Sequence, residues 1–530
     1  MAVRTVREGA LLAPYVPRLV HAWSTAPDER CRALDGTLVS VDISGFTALA
    51  ERLASQGRRG AEELVTSISG VFAELIEAAE RHGGDVLKFR GDALLLFFTG
   101  ERHVARACGA ASDMQWTIES AGPSESSAGP VSLSMSAGVH TGTCHFFLTR
   151  LPHRELLVAG PAATRVFELE DLADAGEIVI SAETAARVDA SWLGEAREGA
   201  RLLRRMPPGA STVEPPPFLP GDDLVRFVPA SLRDHLAVAS GEAEHRQVTV
   251  AFVKVGDTDR ILEQEGPEAL LAQLDALASA VDDACSLYEI TWLESDIDVG
   301  AVKLYLTAGA PSTSGEDEEG MLRALRAILG AGSALPLRIG VHRGHVFTGD
   351  IGAETRRTYA VMGDAVNLAA RLTARAQPGE ILSTVEVLEH ARTDYRTEIE
   401  PVLVKGKEQA ILAHRVHEPI GIRAGADPSA GGAIVGREAE LEALAAVVKD
   451  ARLRQLRLVE IVGEPGIGKS RLVQELRTLA VGFQHLDTGG ERYATAEPYA
   501  AVRPLLPRRG GIPDTIGREE GGRVLVPSVA

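Results

Sequence analysis

Two acidic residues and an amide–guanidinium pair have the types and spacing to do chemistry. Asp42 ends the apolar run of LVSVDISGFTAL (38–49), and Asp92 stands at the glycine turn of DVLKFRGDALLLFF (85–98). Taken alone, Asp42 reads as a helix cap that accepts hydrogen bonds from free backbone N–H groups. With Asp92 as partner it reads differently: carboxylates at the tips of adjacent β elements chelate two divalent ions about 4 Å apart. Asn367 and Arg371, in VMGDAVNLAARL, are four residues apart and share one helix face.

The elements that position these residues occur twice. TLVSVDISGFTALAERL (37–53) matches VTVAFVKVGDTDRILEQ (248–264), and GDALLLFFTG (91–100) matches GAVKLYLTAG (300–309). SAGVHTG (136–142), LVAGPAATRVFEL (157–169) and GEIVIS (176–181) match RIGVHRG, AVMGDAVNLAARL and GEILST in the same order. A repeat of roughly 200 residues is a duplicated domain rather than a solenoid unit. Apolar residues at helical spacing in 65–84 stop on two glycines, and 85–98 forms a hairpin turning at Gly91-Asp92. Short β runs alternating with helices predict an α+β domain in each copy.

The expected organisation is an N-terminal segment (1–36), a first domain (37–206), a Pro-rich linker (207–247), a second domain (248–418), a linker (419–433) and a third region (434–530). In the third region a β-rich run meets GEPGIGKS and then a helix. Gly463, Gly466, Gly468, Lys469 and Ser470 form a Walker A phosphate loop, which cradles phosphates with backbone N–H groups. No later strand ends on an acidic pair, so a truncated P-loop NTPase segment with a disordered C-terminus is expected. A second nucleotide could bind there, and hydrolysis is not expected.

The two copies differ in a sorted way. Lys254 and Ala301 are aligned with Asp42 and Asp92, whereas Thr164 and Glu168 are aligned with Asn367 and Arg371. Arg338, Lys405 and Lys407 also belong to the second copy. One copy carries metal ligands and the other carries amide and cationic groups, so a head-to-tail pair would hold one complete site and one degenerate site.

With a net charge of −19 and 45% apolar residues, the chain is a globular protein and not a nucleic-acid binder. Four scattered cysteines form no zinc or disulfide pattern. No run approaches the roughly 20 apolar residues of a membrane helix. A cytoplasmic protein without membrane contact is expected.

DISGFT and LKFRGDALL in the first copy, with YAVMGDAVNLAARL and VKGK in the second, resemble the class III nucleotide cyclases of the soluble, bicarbonate-responsive adenylyl type. The resemblance covers roughly 37–418. It implies two ferredoxin-like domains in an intramolecular pseudo-dimer, able to act as a monomer, that convert ATP, or alternatively GTP, to a cyclic nucleotide and pyrophosphate with two Mg²⁺ or Mn²⁺ ions. It further implies that Asp42, Asp92 and the Ile43 carbonyl hold the metals and that Asn367 orients the ribose. Arg371 would stabilise the α-phosphate, while Lys405 or Lys407, with Arg338, would grip the triphosphate. Lys88 matches the lysine of a regulatory anion pocket, where Arg165 stands near the expected arginine but in another register. Ala360 occupies a base-pocket position and has no hydrogen-bonding side chain, and the stretch with Glu294, Asp296 and Asp298 holds no lysine to meet adenine, Lys303 coming later, within a strand. The competing function is a non-catalytic nucleotide-sensing module regulating a P-loop ATPase; a third reading is a P-loop signalling ATPase with the cyclase-like half as an accessory.

Overall fold

The computed structural model describes residues 11–23, 29–45, 49, 53, 58–122, 127, 129, 131–150, 153–204, 224–238, 244–402, 411–422, 436–462 and parts of 472–483. The chain divides into units 1–421 and 422–530.

In the first unit, one architecture is built twice. The first copy runs β1 (Cys31–Ser44), α1 (Arg58–Arg81), β2 (Asp85–Arg90), β3 (Ala93–Thr99), α2 (His103–Ala121), β4 (Ser134–Leu148), β5 (Leu156–Ala159), α3 (Pro161–Asp171), β6 (Ile178–Ile180), β7 (Leu193–Arg197) and β8 (Ala200–Leu203). The second runs β9 (Glu244–Val255), α4 (Thr258–Glu265), α5 (Pro267–Tyr288), β10 (Thr291–Asp298), β11 (Ala301–Ala308), α6 (Asp317–Gly330), β12 (Leu337–Gly352), β13 (Arg357–Met362), α7 (Asp364–Arg375), β14 (Glu380–Ser383), β15 (Thr393–Val402) and β16 (Ile411–Ile422). The sheet orders correspond strand for strand, β2-β3-β1-β4-β6-β8-β7 and β10-β11-β9-β12-β14-β16-β15, with β5 and β13 attached to β4 and β12.

The repeated GVH segments have a packing cause. A Cβ on Gly138 would lie 2.3 Å from the Val166 carbonyl oxygen of α3, and one on Gly340 would lie 2.3 Å from the Thr373 amide of α7. Only glycine lets each helix sit that close to its strand. His140 and His342 follow as packing residues: His140 is 9% exposed, and His342 Nδ1 is 2.8 Å from Thr384 Oγ1.

Each copy completes the other's core. Ile351 and Ala360, from β12 and β13, are buried with Ile43, Phe72 and Phe89 of the first copy. In return Phe147, Leu157 and Ala159, from β4 and β5, are buried with Leu270, Trp292 and Leu306 of the second. Each fully buried large apolar side chain contributes about 1.5–3 kcal/mol, so this exchange holds the pair head to tail.

Two segments outside the expected domains join the interface. Val16, Val20 and Trp23 precede β1, while Leu224, Val228 and Leu232 lie inside the expected linker; all six are buried in the cluster between the copies. The linker also contains a helix, Ala230–Val238. Pro-richness concealed its apolar residues, so it is in part a structural element and not only a spacer. In the second unit, helix α8 (Glu438–Arg452) buries Leu444 and Val448. The Walker A residues Gly463, Gly466, Gly468, Lys469 and Ser470, and the C-terminal stretch expected to be disordered, lie outside the described residues. Among the described residues no helix is long and apolar enough to cross a membrane.

Candidate functional site

β1 carries Asp42 to the end of the first sheet, between Ala93 of β3 and Ser136 of β4. The Ile43 amide donates to the Asp92 carbonyl oxygen at 3.1 Å, tying the Gly91-Asp92 turn to the strand that bears Asp42. Burial, followed by the charges of Asp92 and Glu170, pushes the Asp42 carboxyl up to about 7, and Arg90 opposes them. Glu170, on α3, accepts a hydrogen bond from Ser40 Oγ at 3.2 Å, and burial raises it too. Carboxylates crowded in this way ionise fully only beside a cation, so the pair fits a divalent metal. Among the described residues no group of three or more His, Cys, Asp or Glu side chains could hold a metal ion. Ions here would rest on Asp42, Asp92, backbone carbonyls such as that of Ile43, and ligand oxygens.

The strand ladders identify equivalent positions in the two copies. Ser136 and Arg338 begin the matched GVH segments and stand opposite Asp42 and Lys254, so Lys254 takes the place of Asp42. Ala93 faces Asp42 and Lys303 faces Lys254, so these two correspond. In turn Arg90 corresponds to Asp296, and Lys88 to Glu294. This corrects the glycine-to-glycine match. The β10–β11 hairpin continues past the Asp296–Lys303 rung through Ile297–Val302 and Asp298–Ala301, so Ala301 lies beyond the level of Asp92. Both hairpins bulge, at Leu87 and Leu293, where a linear comparison sees nothing.

The second half-site is occupied by its own side chains. Lys254 Nζ lies 3.1 Å from Asp298 Oδ2, and Lys303 Nζ lies 3.7 Å from Asp296 and from Asp298. Burial alone would raise the Asp298 carboxyl, but Lys303 and Lys254 outweigh it and hold it below its ordinary value. Thr164, the counterpart of Asn367, donates to Asp259 at 2.6 Å and accepts from the Gly300 amide at the turn of the opposite copy at 2.8 Å. Arg338 stands beside Lys254 and so belongs to this half. Its expected role as a triphosphate grip therefore falls in the Lys254 half, whereas Ser136 stands at the equivalent place beside Asp42.

The remaining expected residues separate as follows. Asn367 and Arg371 are half-buried on α7. Ala360 is 7% exposed and packed in the first core, where it offers a base nothing to bond. Glu294 is the acid at the level of Lys88, and burial raises its carboxyl to about 8, with Lys88 opposing and Asp296 and Glu155 adding. Lys405 and Lys407 lie outside the described residues.

Both cations of the expected anion pocket are paired with carboxylates. Lys88 donates to Glu155 at 2.6 Å and to Ser295 at 3.0 Å, and Arg165 pairs with Glu168 at 2.8 Å. Burial would raise Glu155, yet Lys88 and His153 more than reverse this and hold it below the ordinary range. The adjoining cavity, about 70 Å³, is bordered by Lys88, Glu155, Glu294, Arg356, Tyr15 and Tyr359 and is too small for a nucleotide. Sequence reasoning missed Arg90, Glu155, Glu170 and Ser295. Their partners are distant in the chain, and no local spacing marks them.

The model of the adenylate and guanylate cyclase catalytic domain matches residues 34–202 and 241–417, and that of an AAA ATPase domain matches 433–523. Adenylate cyclase type 10 of Rattus norvegicus is 23% identical over 535 residues, covering 88% of this chain and 32% of the relative. The Homo sapiens protein of the same name is 26% identical over 415 residues, covering 68% and 25%. The chain thus spans about a third or less of the length of these curated relatives. A class III adenylyl cyclase-like ATP-binding protein from Pseudomonas aeruginosa superposes with a TM-score of 0.51 at 13% identity, covering 68% of this chain and 85% of that one, which shows a common fold. With both of its sheet domains matched, over more than half of its length, the chain belongs to the adenylate and guanylate cyclase catalytic domain family.

Proposed function

We propose that the paired domains form one nucleotide-cyclising site, which converts ATP to cyclic AMP and pyrophosphate within a single chain. The observation that carries this reading is the asymmetry of the half-sites. Asp42 is crowded by the charges of Asp92 and Glu170 and is pushed up to about 7, while Lys254 already neutralises Asp298 in the other half. Asp42, Asp92 and the Ile43 carbonyl would hold two Mg²⁺ or Mn²⁺ ions. Such ions lower the pKa of a bound hydroxyl and neutralise phosphate charge.

The chain's own groups bind and orient the substrate. The bonds of Thr164 to Asp259 and to the Gly300 amide support, through the pseudo-two-fold, a position for Asn367 near the Gly91-Asp92 turn, where its amide would orient the ribose. Arg371, one helical turn on, would stabilise charge developing at the α-phosphate. Lys405 or Lys407 would hold the triphosphate end. In-line attack by the ribose 3′-hydroxyl needs no covalent nucleophile from the protein.

A second reading, a nucleotide-sensing module without catalysis, is favoured by the base pocket. Ala360 is apolar, and the stretch where the adenylyl type would place a lysine holds Glu294, Asp296 and Asp298 instead. Product formation from ATP and from GTP with Mn²⁺, beside Asp92→Ala, separates the two. Cyclic AMP that vanishes in the variant supports the cyclase. ATP binding without a cyclic product from either nucleotide supports the sensor.

A further inference from the structure

Strands β2 and β10 occupy the same place in the two copies and face one another near the pseudo-two-fold. The ladders make Lys88 equivalent to Glu294, and Arg90 equivalent to Asp296. At both positions the first copy is cationic and the second acidic. Opposite charges meet across the interface at the second of these positions: Arg90 Nε donates to Asp296 Oδ1 at 2.6 Å, while Lys88 bonds Ser295 at 3.0 Å and pairs with Glu155 of its own copy at 2.6 Å. Arg90 is further fixed by Glu170 at 3.8 Å and by stacking 4.0 Å over the Phe167 ring.

Equivalent residues that meet across a two-fold have a particular consequence. If two first copies paired in this geometry, Arg90 would meet Arg90 and Lys88 would approach Lys88, since an isologous interface sets each residue against its own counterpart. Two second copies would set Asp296 against Asp296. Apolar burial is non-directional and discriminates only weakly between these pairings and the observed one. Like charges brought together away from water do discriminate, and strongly.

We propose that Arg90 against Asp296 forms a pairing code, which directs the first domain to a second domain of this protein and against a like domain. It stands whether the site cyclises a nucleotide or only senses one.

The test uses the full chain and two single variants. Arg90→Asp makes the contact acidic on both sides, and Asp296→Arg makes it basic on both sides. Each is expected to melt about 5 °C or more below the parent. Amide exchange should accelerate at least tenfold in the interlocking segments 145–159 and 346–362. The double variant Arg90→Asp with Asp296→Arg restores opposite charges, and its melting should return toward the parent. This guards the test against a single variant that simply fails to fold. Mixing the two single variants then separates a pairing code from an ordinary ion pair. The acid introduced by Arg90→Asp in one chain complements the base introduced by Asp296→Arg in the other. Light scattering should therefore reveal a two-chain species absent from either variant alone. Single variants that melt with the parent, a double variant as unstable as the singles, or a mixture without the two-chain species would each overturn the proposal.

Discussion

Lys88 and Glu155 meet at 2.6 Å, each less than a tenth exposed, with Ser295 of the other copy donating to the same carboxylate oxygen. Two charges drawn from water in this way depend on each other. Removing one leaves an uncompensated buried charge, which costs about 3–5 kcal/mol, whereas replacing both by apolar side chains of similar size is near neutral. Lys88→Met should therefore lower the denaturant midpoint strongly, and Lys88→Met with Glu155→Met should recover most of the loss. A double variant as unstable as the single would mean that Glu155 finds its compensation elsewhere.

The Asp42 carboxyl makes the opposite prediction for stability. The Asp42 carboxyl sits near 7 when folded, against an ordinary value of 3.8. Between these values the native state binds more protons than the unfolded one, so its stability falls as pH rises, and the full penalty is present by about pH 8. Asp42→Asn removes that penalty. In chelator at about pH 8 it should stabilise the protein by about 1–3 kcal/mol and abolish cyclic product. Added Mn²⁺ should raise the melting temperature of the parent but not of the variant.

Much of this was legible in the chain. Asp42 lies at the end of a strand, Asp92 at a hairpin turn, and the ordered repeat yields two like sheets. What was not legible depends on register. The bulges at Leu87 and Leu293 and the longer β10–β11 hairpin shift one strand against another, so matching glycines paired Ala301 with Asp92 while the ladder does not. The partners of Lys88 and Arg90 were hidden for a related reason: Ser295 and Asp296 lie more than 200 positions away, and neither carries a local pattern.

Glu294 supplies a pH signature at the interface. Burial raises its carboxyl to about 8, well above its ordinary value of 4.5. A raised folded-state value in an acid means that the folded protein retains a proton the unfolded chain has released, so stability declines as pH rises from about 5 to 8. Glu294→Gln should flatten that part of the melting-temperature profile while leaving the acid limb unchanged. A profile that keeps its slope in the variant would assign the decline to other groups, Asp42 first among them.

Thr164 and Asn367 occupy equivalent places on α3 and α7, and the two half-sites should respond unequally to their loss. Thr164 bonds Asp259 and the Gly300 amide. Thr164→Val should therefore cost about 1 kcal/mol of stability and leave the turnover of the folded protein near that of the parent, because its half already holds the Lys254–Asp298 pair. Asn367→Ala, in the half-site proposed to hold Asp42 and Asp92, should cut cyclic-nucleotide formation by about 10²-fold, as misplacement of the attacking ribose typically does, with little change in melting. Equal losses of activity from the two substitutions would mean that both half-sites turn over. The Lys254–Asp298 pair would then have to open to admit substrate, and the division of labour between the copies would be wrong.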